Sequence, residues 1–399
     1  MENPFKFGTL VRTLNMDTRG ERVCGEDAKY LASTMIRKTL LTFLLLLLFA
    51  LTAFAQRTDE QLGGVYYAYP APTTNTSAAI PPAYTPVYLS HYGRHGSRWL
   101  PSDSRYEWVL TQFSDKQNLT KLGRRTYKEL QKVWGNARGN GGKLTSLGAR
   151  QQRGLAQRMV MRFPLLLKAG TKVEARSSVV DRCRKSMLAF GEEIKQKLPD
   201  AQVSMVTDSA DMSWMSYDSP DEMLLSMETQ VPLTVSTDAF MARLFKHPSK
   251  VANAERLFTE LHTIASDMQN IEEPRLSLFD IFTRKEMEAI YRQNCAKMWH
   301  QNGYDAANHG IPAQSAAALW QNIVTKADSA LSAGIPIANL RFGHDTALYR
   351  LLSLLGIDLG SSDGINGPLD EIVPMAANLQ MLFCKNNDGN VIVDLWLNE

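Results

Sequence analysis

Three times along the chain, an apolar run of strand character breaks off at an arginine or histidine and gives way to a helical pattern. Pro86-Val87-Tyr88-Leu89-Ser90 leads through His91-Tyr92-Gly93 into Arg94-His95-Gly96-Ser97-Arg98. Lys172–Ala175 leads to Asp181-Arg182, where Cys183, Met187 and Phe190 fall on one helical face. Ile335–Phe342 leads to Gly343-His344-Asp345 and then to the apolar helix Ala347–Leu355. Repeated strand–turn–helix units build an α/β fold, and right-handed crossovers carry the strand C-termini to one sheet edge. The three turns, up to roughly 250 residues apart in sequence, are therefore expected to meet in space.

The rest of the chain divides around these units. From about Met212 to Gly334 the pattern changes: Glu255–Met268, Leu278–Trp299 and Ser315–Leu331 carry helical periodicity with little strand signal. This predicts a helical cap over 212–334, inserted into a core made of 86–211 and 335–399. Within it, Met287, Tyr291 and Trp299 read as core rather than as ligand contacts. A helix with Leu155, Met159 and Met161 on its apolar positions is expected after Gly142–Gly148. Residues 56–85, rich in Pro, Ala, Thr and Tyr, read as an extended arm. Leu379–Phe383 and Val391–Leu397, on either side of Asn386-Asn387-Asp388-Gly389, read as a terminal hairpin. Gly139–Lys143 superficially resembles a phosphate loop. Ala137 stands where its first glycine should be and Leu144 where its Ser/Thr should be, so it reads as a turn.

Residues 1–55 read as a leader that contains a secretory signal peptide, the signal proper spanning 35–55. Arg37 and Lys38 precede the apolar run Thr39–Phe54, and Ala53-Phe54-Ala55 is a small-x-small cleavage pattern. The run is shorter than the about 20 apolar residues that a spanning helix needs, so no stable membrane span is expected after cleavage. Met35 is the expected true start, and export to the periplasm or the outside leaves 344 residues. The whole chain carries a net charge of +3, and the leader holds seven Lys/Arg against five Asp/Glu. A balance so near neutral gives no support for a nucleic-acid partner. Hydrophobic content of 44% and charged content of 21% argue against disorder and against a multispan membrane protein. Cys183, Cys295 and Cys384 allow at most one internal disulfide and match no metal-binding spacing. Asn75-Thr76-Ser77 and Asn118-Leu119-Thr120 fit the N-glycosylation acceptor pattern.

The convergent turns would bring together three guanidiniums, two imidazoles and one carboxylate. Arginine forks suit bidentate binding of phosphate oxygens, and Gly96 would let a backbone N–H approach a dianion closely. One imidazole, neutral and in line, can attack phosphorus. The guanidiniums and the second imidazole would stabilise charge on the equatorial oxygens during transfer. Asp345 is the carboxylic acid at hand to protonate the leaving alkoxide. For that it must start protonated, so its pKa is expected above the reference of about 3.9, with faster turnover in acid. No metal or other cofactor is needed. Arg182 is preferred over Arg184, which two residues on along a helix points elsewhere. His91 could line the pocket, although a structural hydrogen bond is the plainer reading.

These residues resemble the histidine acid phosphatase branch (branch 2) of the histidine phosphatase superfamily, which contains acid phosphatases, phytases and multiple inositol polyphosphate phosphatases. Gly142–Gly148 is similar to the family's Gly-x-Leu-Thr-x-x-Gly stretch, Ser177–Arg182 to its Ser-x-x-x-Asp-Arg segment, and Pro374–Leu379 to the lead into its late strand. The resemblance implies a phosphoglycerate-mutase-like three-layer α/β core with a helical cap. It implies that His95 is the nucleophile, that Arg94, Arg98, Arg182 and His344 bind phosphate, and that Asp345 donates the proton. Two departures stand out. Leu100 occupies the place of the family's proline, which comes at Pro101. His344-Asp345 stands where the inositol polyphosphate group often has His-Ala-Glu. The expected function is that of an exported phosphomonoesterase for a small phosphorylated substrate, with phytate-like inositol phosphates the leading candidate and Arg124, Arg125 and Lys128 a basic rim for further phosphates. The alternatives are a broad acid or sugar phosphatase and a non-catalytic phosphate-ligand binding protein. A cytoplasmic mutase is opposed by the leader and the cap.

Overall fold

The computed structural model describes residues 56–72, 78–215, 231–304, 308–357, 359–360 and 365–399. The leader, its signal at 35–55 and the Asn75 acceptor site lie outside them. The strands β1 (Tyr84–Arg94), β2 (Lys172–Ser177), β3 (Gln202–Thr207), β4 (Ile337–Gly343), β5 (Asn378–Asn386) and β6 (Val391–Leu397) form one mixed sheet in the order β3-β2-β4-β1-β5-β6. β3, β2, β4 and β1 are parallel, and β5 and β6 add antiparallel strands at one side. The main helices are α1 (Asp103–Gln112), α2 (Lys121–Ala137), α3 (Ser146–Arg162), α4 (Asp181–Lys197), α5 (Asp238–Leu244), α6 (Ala254–Asp267), α7 (Arg284–Asn302), α8 (Ala317–Ala333) and α9 (Asp345–Leu354).

The layers follow from alternation along β1, whose neighbours cover both faces. Leu89, Val173, Ala175, Leu340 and Phe342 pack with Leu155, Met159, Met187 and Phe190 of α3 and α4. Tyr88, Tyr92, Leu379 and Met381 point the other way, into a core shared with Leu319, Ile323, Leu348 and Leu352 of α8 and α9. Helix–sheet–helix is the expected three-layer arrangement. The main helices of 212–334 all share this second core but differ in their neighbours. α8 packs on β1 and α9 beside the sheet, whereas α5 packs with α2 and α6 with α1.

Several local readings change. The sequence pattern singles out neither β3 nor α1 and α2. β3 is an edge strand in which no residue is buried, so its apolar alternation is weak. Leu155 and Met159 are buried as expected, but Met161 is 54% exposed, because two residues along a helix turn it about 200° away. The stretch after Gln56 is not wholly extended: Gln61–Tyr66 forms a 3₁₀ turn with Leu62, Gly63 and Gly64 buried. Asp370 fixes it, accepting from Arg57 Nε at 3.1 Å, from Gln61 Nε2 at 3.2 Å and from the Tyr291 hydroxyl.

All three described cysteines are free and buried, so no disulfide forms among them. Asn118 is buried; its amide donates to the His247 carbonyl at 3.1 Å and its Oδ1 accepts from the His247 N–H at 2.7 Å. A residue used this way offers no glycosylation site in the folded chain. Arg124 folds back onto the Leu119 carbonyl and Arg125 pairs with Asp280, which makes them a solvated helix face rather than a rim of free cations. Among the described residues, no helix is long and apolar enough to cross a membrane.

Candidate active site

Register sets the three turns at one height. Arg94 at the end of β1 is opposite Gly343 of β4, and Ser177 at the end of β2 is opposite Phe342. The loop after β1 is pinned to its neighbours through the backbone: the His95 N–H donates to the Gly343 carbonyl, and the His95 carbonyl accepts from the Ala376 N–H, each at 3.0 Å.

Arg94, wholly buried, is held on three sides. One terminal nitrogen donates to the Val65 and Val373 carbonyls at 2.7 and 2.6 Å, and the other lies 2.9 Å from Asp345 Oδ2. The His95 Nδ1 is 2.9 Å from the Gly96 carbonyl. A carbonyl only accepts, so Nδ1 carries the proton and the Nε2 lone pair is left for chemistry. Burial, then Arg94, Arg182, Arg98 and His344, hold His95 well below the usual histidine range, which favours the neutral ring. The His344 ring meets it nearly edge-on, with centroids 5.8 Å apart. His344 Nε2 lies 3.4 Å from the Ser178 hydroxyl, and the His344 N–H donates to the Tyr92 hydroxyl at 3.2 Å.

Arg98 is buried over the Tyr66 ring, 5.1 Å from its centroid, and donates to the Trp99 carbonyl at 3.0 Å. Arg182 stands in the first turn of α4, where its charge reaches His95 and Asp345. Arg184 pairs with Asp181 at the surface, 2.7 Å away. Asp345 opens α9 and accepts from the Thr346 N–H at 3.0 Å.

Three expectations are corrected. Burial works to raise the Asp345 carboxyl, but Arg94, His344 and Arg98 outweigh it and hold the group below the usual carboxylate range, not above it. Asp345 is the counter-ion of the Arg94 guanidinium, 2.9 Å away. The Gly96 N–H is not aimed at a ligand but donates to the Ser186 hydroxyl at 3.1 Å. What Gly96 supplies is room: a Cβ there would lie 2.4 Å from the Gly148 carbonyl oxygen. The His91 ring makes no hydrogen bond; it is buried against Phe190 and Phe342, and burial followed by Arg341 pushes its pKa down to about 3.

All six residues singled out by the sequence thus converge on one site. Those it did not single out are the supports: the Val65 and Val373 carbonyls, Tyr66, Gln152, whose amide donates to the Arg94 carbonyl at 3.0 Å, and Asn270, which accepts from the Ser97 hydroxyl at 2.6 Å. None of these is marked by a motif. Among the described residues, no cluster of three or more His, Cys, Asp or Glu side chains is placed to hold a metal.

The same architecture occurs in solved enzymes. The multiple inositol polyphosphate phosphatase of Bifidobacterium longum, crystallised with inositol hexasulfate, superposes with a TM-score of 0.69 at 15% identity, over 85% of this chain and 91% of that one. The phytase from D. castellii superposes with a TM-score of 0.62 at 14% identity, over 85% and 79%. The chain has the histidine acid phosphatase fold. In sequence, it is 24% identical over 234 residues to multiple inositol polyphosphate phosphatase 1 of Gallus gallus, across 54% of this chain and 51% of that protein. The chain thus spans about half the length of the curated relative it matches. No family model matches the sequence.

Proposed function

We propose that this chain is an exported phosphomonoesterase that hydrolyses phytate-like inositol polyphosphates through a phosphohistidine on His95. The observation that carries the reading is the His95 ring: its Nδ1 proton is tied to the Gly96 carbonyl, it is neutral, and the charges of Arg94, Arg98, Arg182 and His344 act on it.

In the proposed reaction Arg94, Arg98, Arg182 and His344 bind the phosphate oxygens. His95 Nε2 attacks phosphorus as the bond to the leaving alkoxide breaks, and Asp345 gives its proton to that alkoxide. Water then attacks the phosphohistidine, Asp345 takes a proton from it, and the N–P bond breaks to release phosphate. The low pKa of Asp345 in the free protein fits this scheme once charge is counted. A bound dianion neutralises the guanidiniums that hold the carboxyl ionised, so its proton affinity rises when the substrate arrives. Because burial and the same cations favour the neutral His95 ring, acid favours the donor without disabling the nucleophile. Turnover is expected to rise as pH falls from 7 toward 5.

The inositol polyphosphate part of the reading rests on the Gallus gallus and Bifidobacterium longum relatives. The test is a rate comparison at acidic pH, with a chelator present, between phytate and a generic aryl phosphate. Faster turnover of phytate by kcat/KM supports the reading. Negligible phytate hydrolysis with a good rate on the aryl ester would replace it with a broad acid phosphatase.

A further inference from the structure

The 3₁₀ turn that ends at Tyr66 touches two of the three arginines of the site. The Val65 carbonyl accepts from Arg94, and the next ring, Tyr66, lies against Arg98. Tyr66 is also held by groups other than Arg98. Its carbonyl accepts from the Asn270 amide at 2.7 Å, and its hydroxyl accepts from Arg105 at 3.3 Å, while Arg105 is itself held by Glu260 at 2.7 Å. Asn270 also accepts from the Ser97 hydroxyl, so one amide clamps the residue before Arg98 and the turn that carries Tyr66.

Arg98 needs such a support. It is buried, its Nε has no partner, and one terminal nitrogen is taken up by the Trp99 carbonyl. A guanidinium in that state has several rotamers in which to hide its fork from a ligand, and an aromatic face fixes its plane without consuming a donor. We propose that Tyr66 is a positioning residue of the anion site, its ring holding the Arg98 guanidinium in the plane in which it meets a phosphate oxygen. The inference rests on the phosphate-binding part of the function proposed above. It adds that the segment before β1, which contains none of the catalytic groups, sets the affinity of the site.

The ring, not the hydroxyl, is what the proposal needs, and this makes it testable. Inorganic phosphate is titrated into the full chain and into Tyr66→Phe and Tyr66→Leu by calorimetry, and KM and kcat for phytate are measured alongside. Tyr66→Phe is expected to bind phosphate within about twofold of the parent. Tyr66→Leu is expected to bind it about 5- to 30-fold more weakly, with the loss in KM exceeding that in kcat. Equal phosphate affinity in the parent and Tyr66→Leu would overturn the inference, as would an equal loss in both variants. Tyr66→Met, an unbranched side chain without a ring, replaces Tyr66→Leu should the latter not fold. A parent that binds phosphate but hydrolyses nothing refutes the proposed activity and leaves this inference to stand on the binding data. A parent that binds no phosphate refutes both.

Discussion

Replacing Gly96 by alanine should damage the site through backbone contact alone. A Cβ at Gly96 would lie 2.4 Å from the Gly148 oxygen and 2.7 Å from its carbonyl carbon and Cα. Ordinary contact for such an atom begins near 3.4 Å, so the shortfall is about 1 Å, and every atom it meets is main chain. Neither side can give way cheaply. Gly148 lies in the first turn of α3, its N–H bound to the Thr145 hydroxyl at 3.1 Å, while the Ser97 carbonyl accepts from the Thr145 N–H at 2.9 Å and from its hydroxyl at 3.0 Å. Overpacking of this kind costs about 1–3 kcal/mol, which for a domain of this size lowers Tm by about 1–4 °C. Relief requires the loop after β1 to move off α3, carrying His95 with it. A misplacement of about 1 Å at a reacting group lowers the rate about 10²-fold. The assay is thermal unfolding together with kcat on phytate, with Gly135→Ala as control, since a Cβ at that helical position meets nothing within 4 Å. Gly148→Ala collides at the same contact, 2.2 Å from the Ser97 oxygen, so the double variant should lose less than the two singles combined. A Gly96→Ala protein with unchanged Tm and a rate within twofold of the parent would refute the reasoning.

Two buried groups should give opposite pH dependences of stability. His91 has a folded pKa of about 3, below its unfolded value of 6.5, so the stability linked to it is complete above pH 6.5 and is lost as pH falls toward 3. Denaturant unfolding of His91→Leu at pH 7 and pH 4 should show a loss between the two smaller than the parent's by up to about 3 kcal/mol; an unchanged loss would contradict the account. Asp267 lies buried near Arg98, with an amide donated by Asn270 at 3.2 Å, and burial pushes its pKa up to about 7. Here the folded value exceeds the unfolded one, so the contribution is complete below about pH 4 and is lost as pH rises through 7. Asp267→Asn should therefore flatten the profile between pH 4 and 7 and be the more stable protein at pH 8. Equal slopes in parent and variant would rule this out.

The convergence of the six proposed site residues was legible in the sequence because each stands at the same point of a repeated unit, where an apolar run ends and a helix begins. Register then does the rest, placing the ends of β1, β2 and β4 side by side. The supports were not legible, since they act through main-chain carbonyls, as Val65 and Val373 do, or through packing, as Tyr66 does. Nothing in a side chain's identity marks its carbonyl as the partner of an arginine 29 or 279 residues away. Gly96 was legible as a required glycine, but the reason lay in Gly148, a contact no local pattern discloses. The error over Asp345 has a similar source: the chemistry demands a protonated acid in the complex, while the free site sets its charge by the Arg94 guanidinium 2.9 Å away. Asn118 fits an acceptor pattern, yet tertiary packing spends its amide on His247.

The central claim is that the phosphoryl group passes through the Nε2 of His95. The direct measurement is rapid acid-free quenching of Asp345→Asn with an activated aryl phosphate, whose leaving group departs without the Asp345 proton, followed by mass mapping of the modified peptide. The variant keeps the nucleophile and the cations but lacks the group that takes a proton from the attacking water. The account predicts a mass increase of one phosphoryl group on the peptide carrying His95, absent from His95→Ala, which should itself lose hydrolysis. A phosphoryl group found on another residue, or full hydrolysis by His95→Ala, would contradict it.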